Sequence, residues 1–343
     1  MYADYISTGE NQLSSTGQSN PDGPSMQTLK ESGTAIFKYI YVLIVCTFAS
    51  FSVPAENKAP YLYILGVTQD AGYPQTGCYE AHCMPGWKDP RLRRSAVSLG
   101  LIDPSDNKKY MFEATPGFPG QFYALEMEAP SERYQFAGIF LTHAHIGHYT
   151  GLMFLGHEAM GASKVPVYTM PVMKQYLEKN GPWSQLVDFQ NIVLSPLQNH
   201  QAQSLGSLTV TPFLVPHRDE YSETVGYRID GPHKSAIFIP DINKWSEWNT
   251  DLSELIKTVD YALIDASFYA DGELPGRDMS KIPHPFVVES MKTLEDLSAG
   301  QRSKVWFIHM NHTNPLLNSE SKESIFVRSK GFNIATEGVR LDL

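Results

Sequence analysis

The sequence predicts an α/β fold in which two β-sheets are covered by helices, and three observations carry that expectation. From residue 60 to residue 343 short apolar runs alternate with helix-like segments, no internal repeat divides them, and no linker is long enough to separate domains. One domain over residues 60–343 is therefore expected.

Ahead of it, residues 1–34 are rich in Ser, Gly, Asn and Gln and carry too little apolar surface to order themselves. A disordered extension is expected there, and residues 35–55 read as a signal peptide. Lys30 and Lys38 precede an uncharged apolar run from Tyr39 to Phe51, which small residues at Ser50, Ser52 and Ala55 close. The run falls short of the roughly 20 residues of a spanning helix. A cleaved leader, a secreted or periplasmic location and no stable membrane anchor follow as expectations.

Within the domain, residues 61–67, 95–102, 109–113, 138–142 and 165–169 are apolar or alternating runs, each ended by Gly, Pro, Asp or a polar cluster, and read as strands. Residues 208–215, 225–229, 236–239, 261–264 and 305–308 read the same way. Helices are expected near 171–180, 252–258 and 285–297. Apolar residues make up 42% and charged residues 19%, which suits a sizeable core. The net charge of −10, with no Lys/Arg-rich run, argues against generic binding of a nucleic-acid backbone and leaves a small-molecule substrate as the expected partner. Oligomeric state is not legible here.

Cys78 and Cys83 are the cysteines of the domain. In an exported chain they can pair as a disulfide. The alternative is a structural zinc ion on Cys78, His82 and Cys83, for which the sequence shows three ligands where zinc takes four.

The main chemical signal begins where the apolar run Gly138-Ile139-Phe140-Leu141 stops and Thr142-His143-Ala144-His145-Ile146-Gly147-His148 starts. Imidazole is a common ligand of borderline metals, and in an extended loop His143 and His145 point to the same side. His148, further along, can reach a neighbouring ion.

This loop resembles the His-x-His-x-Asp-His motif of the metallo-β-lactamase superfamily, and Tyr149-Thr150-Gly151-Leu152 resembles the small-residue helix start that follows it. Later segments are similar in the same order. Val215-Pro216-His217, followed by Val225-Gly226-Tyr227-Arg228-Ile229, resembles the stretch that supplies a third histidine in ribonuclease-Z-like and phosphodiesterase-like members. Ile239-Pro240-Asp241 resembles the strand end with a metal-bridging aspartate, and the segment from Phe307-Ile308-His309 to Asn314-Pro315 resembles the one giving the last histidine. Within the superfamily, Asp70-Ala71-Gly72-Tyr73-Pro74-Gln75 and Glu113-Ala114-Thr115-Pro116 resemble the pyrroloquinoline-quinone synthesis protein B family. The cluster Cys78…His82-Cys83 departs from that family's three-cysteine pattern, and an export signal fits a cytoplasmic cofactor-synthesis step poorly.

The resemblance implies a four-layer αββα sandwich with a first metal site on His143, His145 and His217, a second on His148 and His309, and Asp241 between them. One or two zinc ions suit these sets, and iron also suits two histidines with a carboxylate. Gly147 stands where the superfamily has aspartate and cannot ligate. Either the second site has lost a ligand or the loop uses glycine's backbone freedom. Asp219 and Glu220 are candidate replacements. The function implied is hydrolysis of a phosphodiester, ester or lactone by hydroxide generated at the metal. Iron-dependent oxidation, as in the quinone-synthesis family, and a weakly catalytic metal-binding role are the alternatives.

In position His284 resembles the histidine that protonates the leaving group in ribonuclease-Z-like enzymes, against the plain reading of a loop histidine before a helix. His312 and Asn314 are expected to orient His309. Asp265 and Glu113 read as partners of the ligands or as satisfied strand-end acids. Specificity is expected in loops at residues 118–133 and 271–282.

Overall fold

Residues 59–343 are described by the computed structural model. The expected N-terminal extension, the signal peptide and its cleavage site lie outside the described residues.

Six strands open the fold: β1 (Tyr61–Gly66), β2 (Ser98–Asp103), β3 (Lys108–Phe112), β4 (Gln135–Phe140), β5 (Val165–Thr169) and β6 (Ile192–Pro196). They lie side by side in that order, β1 to β3 antiparallel and β3 to β6 parallel. A second sheet runs through β7 (Gln203–Leu205), β8 (Leu208–Leu214), β9 (Val225–Asp230), β10 (Ser235–Ile239), β11 (Tyr261–Asp265), β12 (Val305–Ile308) and β13 (Asn333–Ile334). From β10 to β13 its strands are parallel. The last strand, β14 (Arg340–Asp342), returns to the first sheet and pairs with β1.

Every residue of β2 and β10 is buried, which is why both read as continuous apolar runs: a strand covered on both faces needs no polar alternation. The pleat sends Phe140 between the two sheets, against Phe112 at 5.1 Å and Tyr227 at 5.7 Å, while the adjacent Ile139 joins Met111, Phe118, Leu125 and Leu152 on the outer side. Two cores thus stack on either side of one sheet, and helices Leu252–Lys257, Val287–Thr293 and Lys322–Ser329 pack on the second. The architecture is the expected α/β sandwich of two mixed sheets flanked by helices. Each fully buried Phe or Leu in these layers contributes about 1.5–3 kcal/mol.

Two expectations are corrected, and four strands were not expected. Residues 118–133 are not a loop throughout, because Phe118–Glu128 is a helix that buries Phe118, Gln121 and Leu125 on one face. Pro116, Gly117, Pro119 and Gly120 obscured it; Pro119 occupies the first turn, where its missing N–H costs nothing. The helix expected over 285–297 is confined to Val287–Thr293. Strands β6, β7, β13 and β14 went unread, being short or polar.

Candidate metal centre

Strands β3 and β4 of the first sheet and β10 to β12 of the second release their chains at one end of the sandwich. The turn after β4 carries His143, His145 and His148, the segment after β8 carries His217, and β10 ends before Asp241. Asp265 closes β11, His309 follows β12, and Glu113 follows β3. His284 comes from the loop ahead of helix Val287–Thr293. Three of the residues here hold left-handed backbone without being glycine: Asp70 (φ 49°), Glu113 (φ 73°) and His309 (φ 66°). Such conformations persist where surrounding structure enforces them and gather at functional sites.

Four donor atoms converge at the first cluster. His143 Nε2 lies 2.8 Å from His145 Nδ1 and 3.3 Å from Asp241 Oδ2. His217 Nε2 lies 3.2 Å from His145 Nδ1 and 3.2 Å from Asp241 Oδ2. A tetrahedron of ligands about 2.0–2.1 Å from a zinc ion has edges of about 3.3 Å. The spacing therefore fits such an ion. Each imidazole is held from its far nitrogen: His143 Nδ1 by Thr142 Oγ1 at 2.8 Å, His145 Nε2 by Glu220 Oε2 at 2.8 Å, and His217 Nδ1 by Asn243 Oδ1 at 3.2 Å. These contacts fix the tautomers that turn bare nitrogens toward one another, as metal-binding histidines require.

A second set surrounds Asp241 on its other side. His148 Nε2 lies 3.7 Å from Asp241 Oδ2, and the rings of His148 and His309 are 5.3 Å apart. His148 Nε2, His309 Nε2 and Asp241 Oδ1 are fully buried and make no hydrogen bond among the described residues. Buried polar atoms left bare cost 1–3 kcal/mol each unless something meets them. Ser267 accepts from His309 Nδ1 at 3.0 Å and donates to Asp265 Oδ1 at 2.8 Å, so Nε2 is the nitrogen His309 offers to the site. Glu113 Oε2 sits 3.2 Å from His148 Nδ1.

Burial, then the neighbouring His148, holds His143 well below the usual histidine pKa, and burial with His309 brings His148 down to about 4. Burial alone would raise Asp241, but His217 and His284 outweigh it and keep its carboxyl well below the usual range. Neutral His143 and His148 beside an ionised Asp241 are in the protonation states that metal ligation requires, whereas at His309 burial is outweighed by Asp265 and Asp241, which raise its pKa. His284 is raised too. Burial opposes its charge, yet Asp265 and Asp241 raise its pKa to about 9. Its Nδ1 lies 2.8 Å from Asp265 Oδ2 and 3.3 Å from Asp241 Oδ1.

Nine sequence candidates for the two sites and their neighbourhood, His143, His145, His148, His217, Asp241, Asp265, His284, His309 and Glu113, therefore meet in one place. Others do not. Asp219 bonds Thr224 at 2.8 Å and Glu220 holds His145, so neither stands near His148 as a replacement carboxylate. Asn314 donates to the Ala266 carbonyl at 2.7 Å and His312 faces His82 at 5.5 Å; Ser267, which the sequence reading missed, orients His309 instead. Cys78 and Cys83 form a disulfide, so the zinc alternative on Cys78, His82 and Cys83 is not the state of these thiols. His312 completes a Cys78, His82, Cys83, His312 grouping that the sequence reading lacked.

Comparison with known proteins agrees with this fold. The profile of the family described as "Beta-lactamase superfamily domain" matches residues 101–310. Coenzyme PQQ synthesis protein B of Methylorubrum extorquens (strain PA1) is 26% identical over 312 residues, covering 82% of this chain and 100% of that protein. The crystal structure of Zn(2+)-bound PqqB from Methylobacterium extorquens superposes with a TM-score of 0.70 at 22% identity, over 82% of this chain and 100% of the other. A diphosphatase from the PhnP family superposes with a TM-score of 0.56 at 23% identity, over 83% and 97% of the two chains.

Proposed function

Since the chain belongs to the β-lactamase superfamily, as the match over residues 101–310 shows, we propose that it is a metal-dependent hydrolase of a small-molecule phosphodiester, ester or lactone. His143, His145, His217 and Asp241 are the ligands of a first zinc ion in this reading, and His284 is the proton donor to the leaving group. The observation that carries it is the convergence of four donor atoms at zinc-like spacing, each imidazole anchored from behind. A bound divalent ion there supplies Lewis acidity toward a scissile carbonyl or phosphoryl group and lowers the pKa of water.

The chain's own residues account for the rest. Asp241, ionised and buried, offsets the ion's charge, and its second oxygen faces His284. Asp265 keeps the His284 imidazolium oriented from Nδ1. A proton is thereby available at neutral pH for a departing alkoxide, which is the task of a general acid. Likeness to a PhnP-family diphosphatase supports a phosphoryl-containing substrate, and the charged, apolar and small-residue order before Lys58 supports export with a cleaved leader.

A second reading has two observations in its favour. The likeness to Coenzyme PQQ synthesis protein B, together with two histidines and a carboxylate around the second set, supports iron-dependent oxidation instead. Metal analysis of protein purified without added ions, with turnover of bis(p-nitrophenyl) phosphate, p-nitrophenyl esters and lactones, separates the two. Zinc with turnover is expected; iron without hydrolysis of any of the three classes overturns the hydrolase.

A further inference from the structure

The glycine at position 147 has a reason other than backbone freedom. Gly147 lies in the helical turn Ile146–Tyr149 and is not among the residues with left-handed φ. What excludes a side chain is a neighbour: a Cβ at 147 would come within 2.6 Å of Asp70 Cα, 3.0 Å of Asp70 Oδ1 and 3.1 Å of the Asp70 carbonyl oxygen. Contact with backbone at that distance cannot be relieved by turning a side chain. Asp70 fills the place where the superfamily's aspartate would begin.

The loop that presents Asp70 is fastened to the other ligands. Gln69 N donates to Met310 O and Met310 N donates to Val67 O, both at 2.9 Å, so the chain after β1 runs alongside the residue that follows His309. Asn311 Nδ2 donates to Gln69 Oε1 at 2.9 Å. At the next residue the backbone turns left-handed, a conformation aspartate tolerates better than most residues. Asp70 Oδ1, set against Gly147, neighbours His148, whose Nε2 is buried without a hydrogen bond among the described residues, as is His309 Nε2, while Asp241 Oδ1 faces His284 Nδ1 at 3.3 Å. The charge of Asp70 is felt at both His148 and His284, where it favours the protonated ring.

We propose that Asp70 is the carboxylate of the second metal site, delivered from the β1 loop in place of the aspartate that the histidine loop lacks. With His148, His309 and Asp241 it completes two imidazoles and two carboxylates for a divalent cation. Gly147 is the complement of that substitution, the small residue that lets Asp70 in. The inference rests on the metal-centre reading above.

The test is zinc stoichiometry and affinity of the full chain by equilibrium dialysis with elemental analysis, alongside thermal melting with and without zinc. Wild type should hold two ions. Asp70→Asn, which keeps the shape and accepts left-handed backbone, should retain the first and weaken the second about tenfold or more. Gly147→Asp alone should gain no ion and melt lower, and Asp70→Gly with Gly147→Asp should recover the second ion. A wild type that binds one ion, or an Asp70→Asn protein that binds two with unchanged affinity, overturns the assignment while leaving the first site standing. His143→Ala with unaltered zinc content would overturn the metal centre itself, and the Asp70 assignment with it.

Discussion

One carboxylate organises two histidines: Asp265 Oδ2 accepts from His284 Nδ1 at 2.8 Å, while its Oδ1 accepts from the Ser267 hydroxyl, which in turn accepts from His309 Nδ1. The proposed proton donor and a proposed metal ligand are thus steadied by the same buried group, and their disturbance can be separated by experiment.

Replacing His284 by Gln removes the proton donor and its 3.3 Å contact with Asp241 Oδ1 while leaving the four first-cluster ligands themselves in place. We expect kcat toward alkyl phosphodiesters to fall about 10²–10⁴-fold. Esters of p-nitrophenol, whose leaving group needs no proton, should lose much less, and zinc content should be unchanged. An equal loss for both leaving groups would show that His284 does not act as an acid.

His143→Ala and His217→Ala each break a set of donors spaced for one ion. Both should lose the first zinc by elemental analysis and show turnover near the blank. Chelation of wild type should lower Tm, since an ion present at about 100 times its Kd stabilises by about 2.7 kcal/mol.

In metal-free protein the His284 pKa is raised from 6.5 to about 9, burial being outweighed by Asp265 and Asp241. The folded state then holds a proton the unfolded chain has released. The contribution is fully present below pH 6.5 and is lost as pH rises through about 9. Melting with chelator present should show Tm falling between neutral pH and about pH 9, a fall that His284→Gln flattens. His148, lowered to about 4 chiefly by burial and His309, acts in the opposite sense on the acid side, where stability should rise as pH climbs from about 4 to 6.5.

Oxidised Cys78 and Cys83 are tied to each other and have no thiolate to give. The two sulfurs, His82 and His312 lie within 4.8 Å of one another, so after reduction they are expected to offer the four ligands that zinc takes. Native mass spectrometry should show one more zinc per chain after mild reduction than before it, and His312→Ala should abolish the increment. Equal zinc in both states would assign the pair to the disulfide alone.

The legible parts of this protein were those where one physical signal dominated. Strands β5 and β12 were read to the residue because both lie deep in parallel regions, with Pro, Gly or polar residues at their ends. His143, His145 and His148 stood out because three imidazoles follow a buried strand. Helix Phe118–Glu128 did not, since Pro and Gly in its first turn mimic a loop, and its burying residues are partly polar. Ser267 carried no signal of its own, and Asp70 stood out only as part of a family-like segment, not as a ligand. A serine after an aspartate, or an aspartate before a glycine turn, is commonplace in sequence, and only the approach of separate strand ends gives either a task.

That dispersal along the chain bears on how the protein matures. The donors of the first cluster come from the turn after β4, the segment after β8 and the end of β10, and so belong to both sheets. Nascent chain that has produced only the histidine loop offers two of the first cluster's three imidazoles and no enclosure. If the proposed centre takes its ion, that ion is expected late, as a rivet set into a frame already standing, unlike the ion that nucleates a zinc finger. Refolding rates should accordingly be indifferent to zinc, while the rate of opening, which must pull the two sheets apart at their shared rim, should slow once the ion is in place.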